Sequence, residues 1–356
     1  MKRFAFVLLV GLLAHPCGTQ AACTIPYTFS SGTTASAAQI NANFAALAGC
    51  SSGGGGGGLT SPQGRLTLTT GMPVMNADVT AAATIYYTPY IGNLAPISNG
   101  TNFVANAFTQ TSVALDTTNV LSGKIYDLFL FLNSSAVQLG YGPAWTSNTA
   151  RSAAIAQVSG FWVNNASITL RWSSSNTASV AANQALYVGS FYASANGQTV
   201  MQFNPAAASG GSAPIMGIYN AYNRVRATCT ETDSTTSWTY GTASFRAANN
   251  SSSNSIRFID GLGQSFLSAR YVSTLSAGGS ATGYISIGYD TSTSTTGRGQ
   301  STYYQSNLAQ VFSGIGTLET TPNLGLHQIY AIELSSPTTT FYGTGTAMQL
   351  QLSLDM

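Results

Sequence analysis

Six consecutive glycines at residues 53–58 divide this 356-residue chain into a short first part and a long second part. With the two serines before them, they predict a flexible linker over residues 51–63, because Gly/Ser segments behave as random coils. The run lacks both the preceding strand and the following Lys-Ser/Thr pair of a phosphate-binding loop. The main body of the protein therefore begins near residue 64.

The first 22 residues predict a secretory signal peptide. Lys2 and Arg3 form a basic start, residues 4–14 are apolar, and Ala21 and Ala22 offer small residues for cleavage. This apolar run is too short to span a bilayer, and no later stretch reaches about 18 consecutive apolar residues. We expect a secreted, extracellular or cell-surface protein with no integral membrane segment.

Charged residues make up only 6% of the chain, far below the usual quarter, and uncharged polar residues take their place. The formal net charge of +2 equals the contribution of Lys2 and Arg3, so the rest of the chain is neutral. Such a chain has no basic surface for nucleic acid or anionic lipid. Its composition is typical of extracellular β proteins and fibre-like assemblies.

Residues 23–50 predict a strand–helix hairpin closed by a disulfide. In an oxidising compartment Cys23 and Cys50 are the expected pair, and the alternative is that the cysteines are unpaired. Cys229 is then left over, and we expect it to be buried in a strand. Ser36 and Gln39 match a capping box before a helix over residues 35–48, with a C-terminal stop at the glycine of position 49.

The region from residue 64 onward predicts an all-β fold, a large antiparallel sandwich or meander. Two strands over residues 65–70 and 84–90 open it. The unbroken apolar run KIYDLFLFL at residues 124–132 predicts a central strand covered on both faces, in which Asp127 needs an arginine or backbone donors. Asn196-Gly197 predicts a hairpin. Two packed β subdomains, split near residues 206–212, are the second interpretation.

Two parts of the sequence carry a family resemblance. TFSSGTTASAAQINANFAALAG resembles the N-terminal attachment segments of phage tail fibres, through Phe29, Gly32, Ala35, Ala37, Ile40, Asn41, Asn43, Phe44 and Leu47. GRLTLTTGMPV, DVTAAATIYYTPYIGN, GKIYDLFLFLNSSAVQLGYGPAW, FWVN, YNAYNRV, SWTYGTASFR and FYGTGTAMQLQL resemble phage and prophage tail-fibre or minor virion proteins. The resemblance implies a virion or surface structural protein without an assigned activity. The export signal departs from it, because virion proteins are assembled in the cytoplasm.

The same resemblance implies that the helix packs in a multimer. Ile40, Phe44 and Leu47 form a single apolar stripe, which fits a homo-oligomer, a trimer among the options, because so short a helix is marginal alone. The alternative is that the stripe docks on the β domain of its own chain.

The sequence offers little for catalysis. His327 is the one histidine outside the predicted signal peptide, and no G-x-S-x-G motif accompanies it. Glu231 and Asp233 could act as paired acids of a glycosidase, but their Thr/Ser-rich setting is more typical of a solvated turn. Asp290 lies among hydroxyl residues but in no D-x-D-x-D-G calcium loop. We therefore predict no catalytic residues, metal site or cofactor.

Binding is the better-supported prediction. Aromatic side chains among amides and hydroxyls suit stacking on sugar rings, although alternate residues of any strand face the core. The candidate glycan contacts are Tyr86, Tyr87, Tyr90, Tyr141, Trp145, Tyr303 and Tyr304. We expect a non-enzymatic secreted attachment protein, virion-borne if phage-derived. The alternative is a secreted carbohydrate-binding or adhesin module, and a glycoside-active enzyme is a third interpretation.

Overall fold

Strands form most of the chain, which confirms the all-β prediction. The computed structural model describes residues 25–32, 34, 36–53, 60–277, 281–295, 299–300, 302–306, 310–344 and 346–356, without the side chains of residues 47–53, 277, 299–300 and 302–306. The chain divides into two compact units, Met1–Gly58 and Leu59–Met356.

The smaller unit contains the helix α1, Ala37–Gly53. The predicted capping box is confirmed: the Gln39 amide donates to Ser36 Oγ and the Ser36 amide to Gln39 Oε1, both at 3.2 Å. The predicted stop at Gly49 is wrong, because the helix continues to Gly53. Glycine tolerates helical as well as left-handed backbone, so its presence alone does not end a helix.

Asn43 ties the segment before the helix to the helix itself. Its Nδ2 donates to the Tyr27 carbonyl at 2.7 Å, and its Oδ1 accepts from the Tyr27 amide at 2.9 Å. The strand of the predicted strand–helix hairpin, expected at residues 25–29, is therefore an irregular segment held by a side chain. It has no partner strand among the described residues. The predicted disulfide lies outside the description, which includes neither Cys23 nor the side chain of Cys50.

The first half of the larger unit contains fourteen strands. They are β1 (Gly64–Thr67), β2 (Val79–Ala82), β3 (Thr84–Pro89), β4 (Leu94–Ser98), β5 (Phe103–Ala107), β6 (Thr111–Ala114), β7 (Ile125–Asn133), β8 (Ala136–Ala144), β9 (Ile155–Val158), β10 (Phe161–Asn164), β11 (Ile168–Arg171), β12 (Thr177–Val180), β13 (Leu186–Ala195) and β14 (Gln198–Met201).

The described residues of the second half form fourteen more strands and one 3₁₀ turn, Ala248–Asn250. The strands are β15 (Ile215–Met216), β16 (Ile218–Asn220), β17 (Arg226–Glu231), β18 (Ser237–Tyr240), β19 (Arg246–Ala247), β20 (Ser255–Asp260), β21 (Leu267–Ala277), β22 (Ala281–Tyr289), β23 (Gly299–Gln300), β24 (Thr302–Ser306), β25 (Gln310–Thr320), β26 (Gly325–Ser336), β27 (Thr339–Tyr342) and β28 (Met348–Asp355).

Two large sheets and two small ones contain these strands. The 16-stranded sheet follows the order β12-β11-β8-β7-β13-β14-β15-β20-β26-β22-β24, and the 7-stranded sheet the order β17-β28-β21-β25-β23. Among the described residues, the strand pairs of the 16-stranded sheet are antiparallel except for β15 with β20. One hydrophobic core joins residues of both sheets, such as Ile285 and Ile329 of the larger and Tyr271 and Leu350 of the smaller. The architecture is thus an antiparallel sandwich.

The strand β7 is central, as the apolar run predicts. Every residue from Ile125 to Phe131 is buried, and β7 pairs with β8 on one edge and β13 on the other. Burial on both faces explains why the run does not alternate with polar residues. The Asn196-Gly197 hairpin is also confirmed, between β13 and β14, with Gly197 at a φ of 69°.

Asp127 on β7 forms a buried ion pair with Arg151, as the sequence predicts for a carboxylate in a buried strand. Arg151 Nε donates to Asp127 Oδ2 at 2.7 Å, and Ser190 Oγ donates to Asp127 Oδ1 at 2.7 Å. The Arg151 guanidinium also lies 4.5 Å from the ring centroid of Trp145. The buried carboxylate is therefore compensated by a cation that is itself enclosed by aromatic and carbonyl groups.

The opening strand β1 is held by side chains along one edge. It pairs with β3 on the other edge, as expected, while Asn220 Oδ1 accepts from the Leu66 amide at 2.6 Å. Arg65 of this strand is buried and donates to the Met356 carbonyl at 3.0 Å. Burial lowers the pKa of Arg65 to about 10. The start and the end of the β domain are thereby connected.

Replacing Arg151 with alanine tests the buried ion pair. Because Asp127 would keep its buried charge without a partner, we expect Arg151→Ala to lower the free energy of unfolding by about 3–5 kcal/mol. The matched control is Arg226→Ala, whose pair with Asp355 is partly exposed, with an expected loss of at most about 1 kcal/mol. Urea denaturation of both variants measures the difference. Equal losses would contradict the role assigned to Asp127.

Candidate functional site

The smaller unit exposes an unusual number of large apolar side chains. Ile25, Tyr27, Phe29, Ile40 and Phe44, here called the N-terminal apolar surface, are between 37% and 65% exposed, with Phe44 the most. Ile40 and Phe44 belong to the predicted helix stripe, and the side chain of Leu47 lies outside the described residues. Full burial of one such side chain is worth about 1.5–3 kcal/mol. A partner that covers this surface would therefore bind with a substantial hydrophobic contribution.

An open groove lies on the β domain where β8 runs beside β11. It has a volume of about 400 Å³ and is lined by Asn119, Tyr126, Tyr141, Gly142, Pro143, Ala144, Ala153, Ser167, Ile168, Thr169 and Arg171. Gly142 has no side chain to fill the groove, and a Cβ at this position would lie 3.0 Å from Ile168 Cδ1. The floor is apolar, while Ser167 and Thr169 project exposed hydroxyls along the rim.

Asp116 hydrogen-bonds to two of the residues that line this groove, Tyr141 and Asn119. Its Oδ2 accepts from the Tyr141 hydroxyl at 2.7 Å, and its Oδ1 accepts from Asn119 Nδ2 at 2.7 Å. Partial burial raises the pKa of Asp116, but these hydrogen bonds outweigh it and the net effect lowers the pKa. The carboxylate is thus ionised at neutral pH and holds the Asn119 amide in place.

Asp116, Asn119 and Arg171 are not among the site residues predicted from the sequence. The signal was available for the first two, because Asp-Thr-Thr-Asn is typical of an Asx turn, and Asp116 Oδ1 accepts from the amides of Thr118 and Asn119. Arg171 carried no such signal. It reaches the groove through the pairing of β11 with β8, where it lies opposite Tyr141.

The predicted aromatic contacts do not form one platform. Tyr87 and Trp145 are 1% and 3% exposed, and Tyr141 is 3% exposed, so these rings belong to the core and offer no face to a sugar. Tyr87 shows why: its ring packs against Phe108 with centroids 5.2 Å apart. On a strand, alternation places every second residue inside, and the sequence does not reveal which.

The other predicted aromatic residues lie elsewhere. Tyr90 is 41% exposed, and the Arg65 guanidinium lies 5.5 Å from its ring centroid. Tyr86 is half-buried on β3. Tyr303 and Tyr304 lie on β24, and their side chains are outside the described part of the structure. Of the predicted contacts whose side chains are described, Tyr141 is the one that lines the groove.

Two of the carboxylates have complete structural partners. Asp260 accepts from four successive backbone amides, those of residues 262–265, at 2.8–3.1 Å. Glu333 accepts from Arg246 Nη2 at 2.7 Å and from Trp238 Nε1 at 2.8 Å. Burial raises the pKa of Glu333 to about 7. Both acids stabilise loops or sheet edges and face no groove described above.

Glu231 and Asp233 are both buried, so the predicted solvated turn is wrong. Glu231 is the last residue of β17, and Asp233 follows two residues later. Asp233 accepts from the Gly210 and Thr235 amides at 3.0 and 2.8 Å. Burial raises the pKa of Glu231 to about 8, with the neighbouring Asp233 contributing in the same direction. Cys229, on the same strand, is buried and free, as expected.

His327 is the centre of a small polar cluster on β26. Its Nδ1 lies 2.8 Å from Asp290 Oδ2, and its Nε2 lies 2.8 Å from the Asn323 carbonyl oxygen. Both partners are acceptors, so the doubly protonated ring satisfies both. Burial lowers the pKa of His327, but these hydrogen bonds outweigh it and the pKa lies above its ordinary value.

Comparisons with known proteins add little to this geometry. No family model matches the chain, and no curated protein matches it. Among solved structures, the chain is similar to a Bacillus thuringiensis Cry1Da tryptic core variant, with 9% identity and a TM-score of 0.15 over 78% of this chain and 48% of that chain. The chain thus spans about half of that protein's length, and so low a TM-score supports no inference about fold or function.

Two features were looked for in the part of the chain that the structure describes: a membrane-spanning helix, and a group of three His, Cys, Asp or Glu side chains around one point. None of its helical segments has the length and apolar character needed to cross a bilayer. No three side chains of the His, Cys, Asp or Glu type lie close enough together in it to share a metal ion.

The Asp290–His327 pair predicts a pH-dependent stability. Because the pKa of His327 is higher in the folded chain than its unfolded value of about 6.5, its contribution is complete below about pH 6.5 and is lost as the pH rises through the folded pKa. We expect the difference in unfolding free energy between the natural chain and His327→Gln to decrease above about pH 6.5. Urea denaturation at several pH values measures it. A difference that stays constant or increases with pH would contradict the ion pair.

Proposed function

We propose that the chain is a secreted, non-enzymatic attachment protein of the tail-fibre type. It associates with further copies of itself through the N-terminal apolar surface and displays the β domain for recognition. The observation that carries this proposal is the exposure of Ile25, Tyr27, Phe29, Ile40 and Phe44 in one small unit. A separate soluble domain has little reason to expose so many large apolar side chains within about 30 residues.

Three features favour a second copy as the partner of this surface. Residues 24–58 contain no Asp, Glu, Lys or Arg, so identical surfaces meet without like-charge repulsion. The helix α1 exposes Ile40 and Phe44, whereas most helix stability in proteins comes from packing of an apolar face. The same segment also carries the resemblance to tail-fibre attachment segments, in which the helix packs in a multimer.

The groove supplies a second, carbohydrate-binding role for the displayed domain. The groove combines apolar side chains with hydroxyl, amide and guanidinium groups, and this combination matches the two faces of a sugar ring. Among the residues that line the described groove there is no carboxylate, and Asp116, which hydrogen-bonds to two of them, is a single acid, whereas glycoside hydrolysis by the usual mechanisms needs two. The arrangement therefore favours binding over cleavage, as in an adhesin module.

The oligomeric state tests the main proposal. We expect the natural chain to form a homo-oligomer in size-exclusion chromatography with light scattering, and Ile40→Ser/Phe44→Ser to shift it to the monomer mass, because the hydrophobic contribution of Phe44 is lost. The control is Ala45→Ser, an exposed position on the same helix, which should leave the mass unchanged. A natural chain that is monomeric at all concentrations would refute self-association.

A glycan array tests the second role. We expect the natural chain to bind a subset of saccharides, and Arg171→Ala to weaken that binding by about tenfold or more, because a hydrogen bond to a charged group is worth about 1.5–3 kcal/mol. Arg270→Ala, an exposed arginine on β21 away from the groove, is the matched control. Equal losses in both variants, or no glycan binding at all, would count against the groove.

A further inference from the structure

A buried cluster of oxygen atoms lies where β17 ends beside two loops, residues 206–214 and 251–254. Its members are Glu231, Asn254 and Ser212, of which Glu231 is 1% and Asn254 0% exposed. Among the described residues, Glu231 Oε2, Asn254 Oδ1 and Ser212 Oγ have no hydrogen-bond partner. Three unpartnered buried oxygens in one place are rare in folded proteins, and such groups usually indicate a missing ion or water.

The orientation of Asn254 is fixed by its other atoms. Its Nδ2 donates to Asp233 Oδ2 and to the Ala248 carbonyl, both at 2.9 Å. Both amide hydrogens are thereby used, so the side chain cannot be turned to place its nitrogen in the cluster. Asp233 is a positioning residue here, because it directs the Asn254 oxygen toward Glu231.

Gly211 shows that Asn254 Oδ1 lies close to the carboxylate of Glu231, whose Oε1 accepts from the Ser212 amide at 3.3 Å. A Cβ at this position would lie 2.3 Å from Asn254 Oδ1 and 2.7 Å from Glu231 Oε1, so both oxygens face the same side of the glycine. Its φ of +83° also favours glycine. A side chain at residue 211 would collide with both oxygens, so the close packing of Asn254 and Glu231 requires a glycine there.

Charge and ligand type indicate what occupies the cluster. The ion pairs of the described residues join Arg151 to Asp127, Arg226 to Asp355, Arg246 to Glu333 and His327 to Asp290, and none of them reaches Glu231 or Asp233. Two neighbouring buried acids are thus left without a protein cation. Carboxylate, amide and hydroxyl oxygens form the ligand set that Ca²⁺ prefers.

We propose that Glu231, Asn254 and Ser212 bind a calcium ion. The ion neutralises the buried carboxylate and satisfies the three oxygens. It also connects β17 with the loops 206–214 and 251–254, which join successive strands of the larger sheet. With one carboxylate as a direct ligand, the site belongs to the weak class found in extracellular modules, whose dissociation constants are about 0.1–1 mM.

Calorimetric titration of the chelator-treated full chain near pH 8 tests the proposal. We expect one CaCl₂ site per chain with a dissociation constant of about 0.1–1 mM, and MgCl₂ binding at least about tenfold weaker, because Mg²⁺ demands near-ideal octahedral geometry. Glu231→Gln keeps the side-chain shape without the charge and should weaken Ca²⁺ binding at least about tenfold. The control Glu319→Gln, exposed on β25, should bind as the natural chain does.

A thermal unfolding series provides an independent readout. CaCl₂ should raise the unfolding midpoint of the natural chain and of Glu319→Gln, and it should leave that of Glu231→Gln unchanged. Three results would overturn the proposal: no Ca²⁺ binding by the natural chain, equal binding of Mg²⁺, or an undiminished response in Glu231→Gln. The first would assign the cluster to a proton shared between Glu231 and Asn254 instead of a metal ion.

Discussion

The buried ion pair between Asp127 and Arg151 is the interaction on which the larger unit depends most. Asp127 lies within β7, the strand that pairs with β8 and β13 near the middle of the 16-stranded sheet. A carboxylate at this position is far from water, and it is tolerated because Arg151 and Ser190 donate to it directly. With 6% charged residues, the chain has few cations, and it uses Arg151 and Arg246 to compensate buried acids.

The two units differ in how far they bury their large apolar side chains, and this difference is the basis of the proposed function. The larger unit encloses its aromatic side chains in a core shared by two sheets and presents mostly uncharged polar groups outside. The smaller unit has too few residues to bury its own apolar side chains and exposes Phe44 and its neighbours. In the proposed function, the smaller unit associates with further copies and the larger one is displayed. At the buried acid Glu231, the proposed calcium ion takes the place of a protein cation.

Local signals predicted local structure well. The capping box of Ser36 and Gln39, the apolar run of β7 and the Asn196-Gly197 turn depend on neighbouring residues, and all three are confirmed. Long-range features could not be predicted: Asn220 satisfies the edge of β1 from 154 residues away. The burial of individual candidate site residues could not be predicted for a related reason. Alternation places Tyr87 inside or outside according to a register that only strand pairing fixes, and Glu231 is buried by loops that are distant in sequence.

Amide hydrogen exchange of α1 in the full chain is the most direct test of the central claim, that the smaller unit is covered by further copies. Most helix stability in proteins comes from packing of an apolar face, so the amides of a helix without such packing exchange faster than those of a packed one. The account predicts slow exchange of the α1 amides in the natural chain at micromolar concentration and fast exchange in Ile40→Ser/Phe44→Ser. Equally fast exchange in both proteins would contradict it.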